Sequence, residues 1–402
     1  MTHDIERLKS ELSLELKNIL KYWSTYSIDH KHGGFIGQRD FFNRQISGAS
    51  KSAVLNTRIL WTFSAAYNFT NNPEYLVVAD RANQYIREHF EDKQFGGLVW
   101  EVDENGDVLN GRKQIYALGF GIYGYSEYFK ASKNPQALSD AIALYELIEK
   151  YSFDPVEGGY LEAFANDWSM LEDLRLSLKD ANEPKSMNTH LHILEPYTNL
   201  LRVWPDQHLK EKISALIHIF LDKIIDHRTH HFNLFFDTDW SVQSTIVSFG
   251  HDIEGAWLLY EAAEMVGDKK LIAEVSLNLI AMVDATIADG CAADGSVYNE
   301  KNTASGHLDD DKHWWMQAEA LVGLAYAWKI TGKETYFDQL VKVWKFIRTF
   351  VIDPVNGEWF GRVDKNGIPL VSEDKLGFWK CAYHNSRSMM EVMAILSKFQ
   401  DK

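Results

Sequence analysis

An internal repeat constrains this chain more than any other feature, because self-similarity at a fixed spacing dictates architecture. A Gly- and Asp-rich stretch set among aromatics recurs six times, at spacings of roughly 60 to 75 residues. The copies are DHKHGGFIGQRD near Gly33, FGGLVWEVDENGDVL near Gly96, DPVEGGYLEAF near Gly158, HFNLFFDTDWSV near Asn233, CAADGSVYNEK near Gly295 and DPVNGEWFGRVDKNG near Gly357. Gly and Asn/Asp tolerate positive φ, and aromatics alternate beside them, so each copy reads as a short hairpin. Before each hairpin lies a charged amphipathic pattern, such as IERLKSELSLELKNILKYW or PEYLVVADRANQYIREHF. After it comes a more apolar one, such as SAVLNTRILWTFSAAY or IYALGFGIYGYSEYF. A helix polar along one stripe faces solvent there, whereas one apolar nearly all round is buried on most sides. Six outer and six inner helices make an all-α (α/α)6 toroid of twelve helices, with short β-hairpins at one mouth. No Pro/Ser-rich linker interrupts the pattern, so residues 1–402 are expected to form a single domain. Pro196 falls inside an inner helix and is expected to bend or interrupt it.

Composition then narrows the function. The net charge is −16 with His neutral, which argues against DNA, RNA or an anionic membrane as partner, since those need a basic face. Two cysteines, Cys291 and Cys381, exclude a disulfide-stapled scaffold and fit a reducing compartment. The start, MTHDIERLKSELSLELKNIL, is charged rather than signal-like, and no window of about 18 apolar residues is expected to span a membrane. The expectation is a soluble cytoplasmic protein, monomeric or weakly dimeric.

Each inner helix follows its hairpin in the same way, so the six first turns gather at one mouth. Polar side chains crowd there: Arg58, Tyr116, Asn188 with His192, His251 with Glu254, Trp315 with Glu319, and His384 with Arg387. Asn188, His192 and Glu195 share a helix face at spacings of four and three. His190 points about 200° away from His192 at about 100° per residue, which makes it structural. Any one of these residues alone is as easily a core, capping or ion-pair group. Three His near the same end of three inner helices are costly in a core and useful in a pocket. No HExxH spacing occurs and the DDDK run at 309–312 reads as a solvated loop, so no metal is expected. GFGIYG at 119–124 lies within a helix and is not a phosphate loop. Imidazoles titrate near neutrality and suit proton abstraction and return at a carbon α to a carbonyl. Aromatics with Arg, Asn and Glu suit a sugar, which points to a carbohydrate isomerase or epimerase. Glycosidases use the same toroid with two carboxylates, and Glu254, Glu319, Glu195 and Asp180 are the candidates for that rival. A catalytically silent sugar-binding protein is the rival from another class.

KSMNTHLHILEPY (185–197), SFGHDIEGAWLL (248–259), HWWMQAEALVG (313–323) and KCAYHNSRS (380–388) resemble the N-acylglucosamine 2-epimerase family. The resemblance runs over essentially the whole chain and is closest to the branch acting on β-1,4-linked disaccharides. It implies interconversion of D-glucose and D-mannose configuration at C2 of a reducing-end residue, by ring opening, a cis-enediolate and reprotonation, with no cofactor. It further implies that His251 and His384 are the general acid/base pair and His192 the third active-site histidine. Arg58 matches the arginine at the enediolate oxygens. Glu254 would hydrogen-bond the sugar or orient His251, and Asn188, Glu319, Trp315 and Trp379 match sugar-binding positions, as do Tyr116 and Asp180, for which Tyr123 and Asp173 compete. The family leaves open cellobiose, lactose or mannobiose as substrate, or a monosaccharide.

Overall fold

The computed structural model describes residues 2–400, so the outermost positions of the expected 1–402 domain lie outside the described residues. Twelve α-helices follow one another in chain order: α1 Thr2–Tyr26, α2 Ala53–Thr70, α3 Pro73–Tyr85, α4 Ile115–Ser132, α5 Pro135–Tyr151, α6 Met187–Val203, α7 Gln207–Ile219, α8 Phe249–Val266, α9 Lys269–Gly290, α10 Trp314–Thr331, α11 Glu334–Phe346 and α12 Tyr383–Gln400. The even-numbered helices pack side by side in a closed ring, α2 against α4 and so on to α12, which returns to α2. Each odd-numbered helix packs outside the ring, α1 against α12. The expected (α/α)6 toroid is therefore the observed fold. Sequence pattern accounts for the layers. Residues 53–66 of α2 are all buried, whereas α5 buries only the stripe Ala137, Ala141, Leu144, Tyr145 and Ile148.

Inner helices turn into outer ones through one repeated device. Asn71, Lys133, Gly267 and Gly332 close α2, α4, α8 and α10 in the left-handed conformation. The next residue starts the outer helix, with Asn72, Asn134 and Asp268 each capping backbone N–H groups through the side chain. All six predicted hairpins are present, pairing Ile28 with Phe35, Glu91 with Leu98, Phe153 with Tyr160, Ile225 with Phe232, Cys291 with Val297 and Ile352 with Trp359.

Beneath four hairpins lies a staple. Asp29, Asp92, Asp154 and Asp353 each accept two backbone N–H groups of their own turn on Oδ1. The other oxygen of each meets a fully buried lysine, namely Lys51 at 3.0 Å, Lys113 at 2.6 Å, Lys185 at 2.8 Å and Lys375 at 2.7 Å. The fourth and fifth hairpins are held by inner-helix side chains. Asp252 accepts from Phe232 N, and Gln317 both accepts from Val297 N and donates to its carbonyl.

Pro196 lies inside α6, which runs through it without interruption. Proline leaves the His192 carbonyl without its helical donor, and a Cβ on Gly119 of the adjacent α4 would stand 2.1 Å from that oxygen, so glycine lets the two helices meet there. One described helix, α9, 22 residues long, is long and apolar enough to cross a membrane, with a mean hydropathy of 1.7 over an 18-residue window. It lies on the ring as an outer helix, burying Leu271, Val275, Leu279, Met282 and Val283 and exposing Glu274 and Asp284.

Candidate active site

The inner helices deliver their polar groups from equivalent positions in the first turns. The second residue supplies Tyr116, Asn188, Trp315 and His384, the third supplies His251, and the sixth supplies Arg58, His192, Glu254 and Glu319. Residues three or four apart on a helix share a face, so these positions look into one mouth.

Arg387 is the hub. Its Nη2 donates to Glu319 Oε1 at 2.7 Å and to Glu254 Oε1 at 2.8 Å, and its Nη1 donates to Glu195 Oε1 and to the Tyr383 hydroxyl. Tyr383 donates in turn to Glu195. Two imidazoles hang from the carboxylates: His192 Nδ1 lies 3.0 Å from Glu195 Oε2, and His384 Nδ1 lies 2.6 Å from Glu319 Oε1. An ionised carboxylate only accepts, so both rings carry their proton on Nδ1 and turn the Nε2 lone pair away from it. Trp257 Nε1 donates to the other oxygen of Glu319 at 3.0 Å. Across the mouth, Arg58 Nη2 donates to the Tyr116 hydroxyl at 2.7 Å, and its guanidinium lies over Phe120 and Tyr383.

His251 stands apart from the carboxylates. Its Nδ1 lies 2.7 Å from Ser248 Oγ and its ring packs on Trp315 at 4.8 Å, while His384 packs on the same indole at 5.5 Å. Burial pushes the His251 imidazole down to about 3, helped by the nearby His192. Burial, with Arg58 and Arg387, also holds His384 well below the usual range. Free imidazoles titrate near neutrality, and desolvation in the closed mouth lowers both rings below that range, which favours their uncharged form. Glu254 is raised well above the usual carboxylate range by burial and by the like charge of Glu319.

The two contested assignments separate in the structure. Tyr116 bonds Arg58, whereas Tyr123 lies two turns further along α4 and stacks on Trp61 at 5.0 Å. Asp180 is half-buried, accepts from Ser177 N at 2.8 Å and lines a narrow cleft with Asn188 and Glu162. Asp173 is exposed and paired with Arg175. Trp379 packs against Trp100, Phe378 and Tyr116 and is the one tryptophan, among the described residues, that is exposed. His190 is structural as expected, bonding Ser186 O and accepting from Tyr160 N. Buried atoms left without a partner include Glu254 Oε2, Asn188 Oδ1 and Arg58 Nε, all belonging to the site. Such atoms are costly in a core and serve as contacts for a polar ligand.

Among the described residues one trio, Glu254, Glu319 and His384, has ligand atoms within 4.8 Å of one another. Arg387 bonds both carboxylates, so a cation there would meet a fixed guanidinium and a histidine nitrogen already committed to Glu319. Arg387, which the sequence marks only as one polar group at the mouth, is central to the site, and Tyr383 and Ser248 join it without a sequence pattern that singles them out. An arginine inside an apolar helix, three residues after a candidate base, was the available signal.

The profile of the family described as N-acylglucosamine 2-epimerase (GlcNAc 2-epimerase) matches residues 34–387. The chain belongs to the N-acylglucosamine 2-epimerase family. It is 45% identical over 96% of its length to a cellobiose 2-epimerase of Bacteroides fragilis, covering 99% of that protein. It is 37% identical over 97% of its length to a cellobiose 2-epimerase of Dictyoglomus turgidum, again covering 99% of it. The solved cellobiose 2-epimerase of Bacillus thermoamylovorans superposes with a TM-score of 0.91 at 34% identity, over 98% of this chain and all of that one. As a member of this family the chain is a carbohydrate epimerase, an isomerase with a sugar as its small-molecule partner.

Proposed function

We propose that this epimerase inverts C2 of the reducing-end residue of a β-1,4-linked disaccharide, cellobiose to glucosyl-mannose and lactose to epilactose. The observation that carries the reading is the pair of neutral imidazoles, His251 and His384, on two inner helices and packed against one indole, Trp315. After ring opening, one imidazole takes the C2 proton through Nε2 and the other returns a proton to the opposite face of the enediolate. Arg58 faces the charge that develops on the enediolate oxygens and stabilises it as it forms. Tyr116, held by Arg58, and His192, held by Glu195, frame the same oxygens. Glu254 and Asn188 offer the sugar hydroxyls their unpartnered oxygens. Trp315 covers the reacting ring, and the exposed Trp379 with Asp180 receives the second sugar, which favours a disaccharide over a monosaccharide. Arg387 ties up Glu195, Glu254 and Glu319, which speaks against two free carboxylates of glycosidase type. No step calls for a cofactor or metal.

The test is incubation with cellobiose, lactose and mannobiose in heavy water, followed by NMR. The expected product keeps its glycosidic bond, is epimeric at C2 and carries deuterium there. Free monosaccharide, binding without exchange, or unlabelled C2 through complete epimerisation would overturn the reading.

A further inference from the structure

Three inner helices are preceded by a serine in the same register: Ser52 before α2, Ser186 before α6 and Ser248 before α8. Ser52 Oγ accepts from Leu55 N at 3.0 Å, and Ser186 Oγ accepts from Thr189 N at 3.1 Å. Both are ordinary N-caps on the third residue of the helix. Ser248 has the same extended backbone, φ −112 and ψ 103, yet its hydroxyl makes no cap bond. It lies instead 2.7 Å from Nδ1 of His251, the side chain of that very third residue. The repeat thus provides its own control: one serine of three has been turned from the helix to an imidazole.

The chemistry of that turn matters because the ring of His251 has no other hydrogen-bond partner among the described residues. His192 and His384 have their Nδ1 fixed by carboxylates. We infer that Ser248 is a positioning residue that accepts the Nδ1–H of His251 and so aims the Nε2 lone pair into the mouth. This rests on the proposed role of His251 in moving the C2 proton. The balance is simple. Nε2 takes the proton from C2 and the ring becomes imidazolium, Nδ1 keeps its own proton on Ser248 throughout, and the reverse step returns the Nε2 proton. Nothing is transferred to the serine. A hydroxyl accepts without bearing charge, so it favours the imidazolium less than a carboxylate does. His251 and His384 are therefore backed unequally, and the pair is set apart in basicity by the groups behind the rings.

The experiment compares Ser248→Ala, Ser248→Thr and Ser52→Ala in the full-length enzyme with cellobiose. Ser248→Ala should melt within about 2 °C of the parent, because no cap is lost, whereas Ser52→Ala should melt lower. Its kcat should fall about tenfold or more with KM changed less than about twofold, and the acid limb of its pH–rate profile should move. Ser248→Thr, which keeps the hydroxyl, should restore most of the rate. If Ser248→Ala keeps its kcat and loses as much thermal stability as Ser52→Ala, Ser248 is a cap and the inference fails. Should Ser248→Ala not fold, 15N NMR of the histidine-labelled parent decides. A protonated Nδ1 and bare Nε2 on His251 support the assignment, and the opposite tautomer overturns it. His251→Phe separates the two levels. An active His251→Phe removes the reading beneath, whereas an inactive His251→Phe beside a fully active Ser248→Ala removes only the role of the serine.

Discussion

Two sets of buried ionic groups, the lysine–aspartate staples beneath four hairpins and the Arg387 cluster at the mouth, are built differently. Each hairpin staple joins one lysine to one aspartate whose second oxygen is filled by backbone N–H groups, and the arrangement occurs four times. None of these lysines or aspartates has an unpartnered side-chain atom. At the mouth one guanidinium serves three carboxylates, the arrangement occurs once, and polar atoms remain unpartnered. A charge buried for stability needs complete local pairing. A site needs groups held rigidly yet with valences left over for a ligand. Repetition with full satisfaction marks scaffold here, and departure from the repeat marks function.

Five measurements sharpen or break this contrast. The largest effect should come from the imidazoles: His251→Phe or His384→Phe should cost about a hundredfold or more in kcat for C2 epimerisation, followed by NMR. Near-full activity in either would dissolve the site as drawn. Next is the hub. Arg387→Met leaves Glu195, Glu254 and Glu319 without their counter-ion and should lower both kcat and unfolding free energy, the latter by about 3–5 kcal/mol in urea titration. Lys113→Met, by contrast, removes one staple and should cost about 3 kcal/mol of stability with KM unchanged. If Lys113→Met changed KM more than Arg387→Met changed kcat, the division into scaffold and site would be wrong.

Acidity gives a smaller, graded effect. His251 falls to about 3 and His190 to about 4 in the fold because burial disfavours the charged ring. Between those values and about 6.5 the unfolded chain binds protons that the folded chain refuses, so stability is full above about 6.5 and is lost as pH falls. The expected slope is at most about 1.4 kcal/mol per pH unit for each such ring, read from urea titrations between pH 4 and 7. Because burial raises Glu15, Glu162 and Glu391 to about 7 and these act with the opposite sign, the effect is read as the difference between the parent and His190→Gln; no difference in slope would mean that this ring titrates alike folded and unfolded. Smallest of all, Trp379→Ala should weaken disaccharide use by about 1 kcal/mol, a fewfold rise in KM, with Trp379→Phe milder. Equal, negligible effects from both would remove this ring from the sugar site.

Much of this was legible in the sequence because the repeat is written in one-dimensional signals. Hairpin glycines, alternating outer and inner helical patterns and the spacing of Asn188 with His192 or Trp315 with Glu319 depend only on local geometry. They determined the twelve helices, the shared mouth and the set of residues that meet there. Tertiary structure alone decided which groups face each other across the ring. Arg387 is separated by 192 residues from Glu195 and by 68 from Glu319, and no helical period links them. It also decided the charge states. A histidine in a sequence carries its solution pKa, and the closed ring of helices, by excluding water, lowers the proton affinity of His251 and His384 below it. Ser248 lies between the two cases. Its place in the repeat can be read beside Ser52 and Ser186, but whether its hydroxyl turns to the helix or to the imidazole depends on packing that brings the His251 ring within reach.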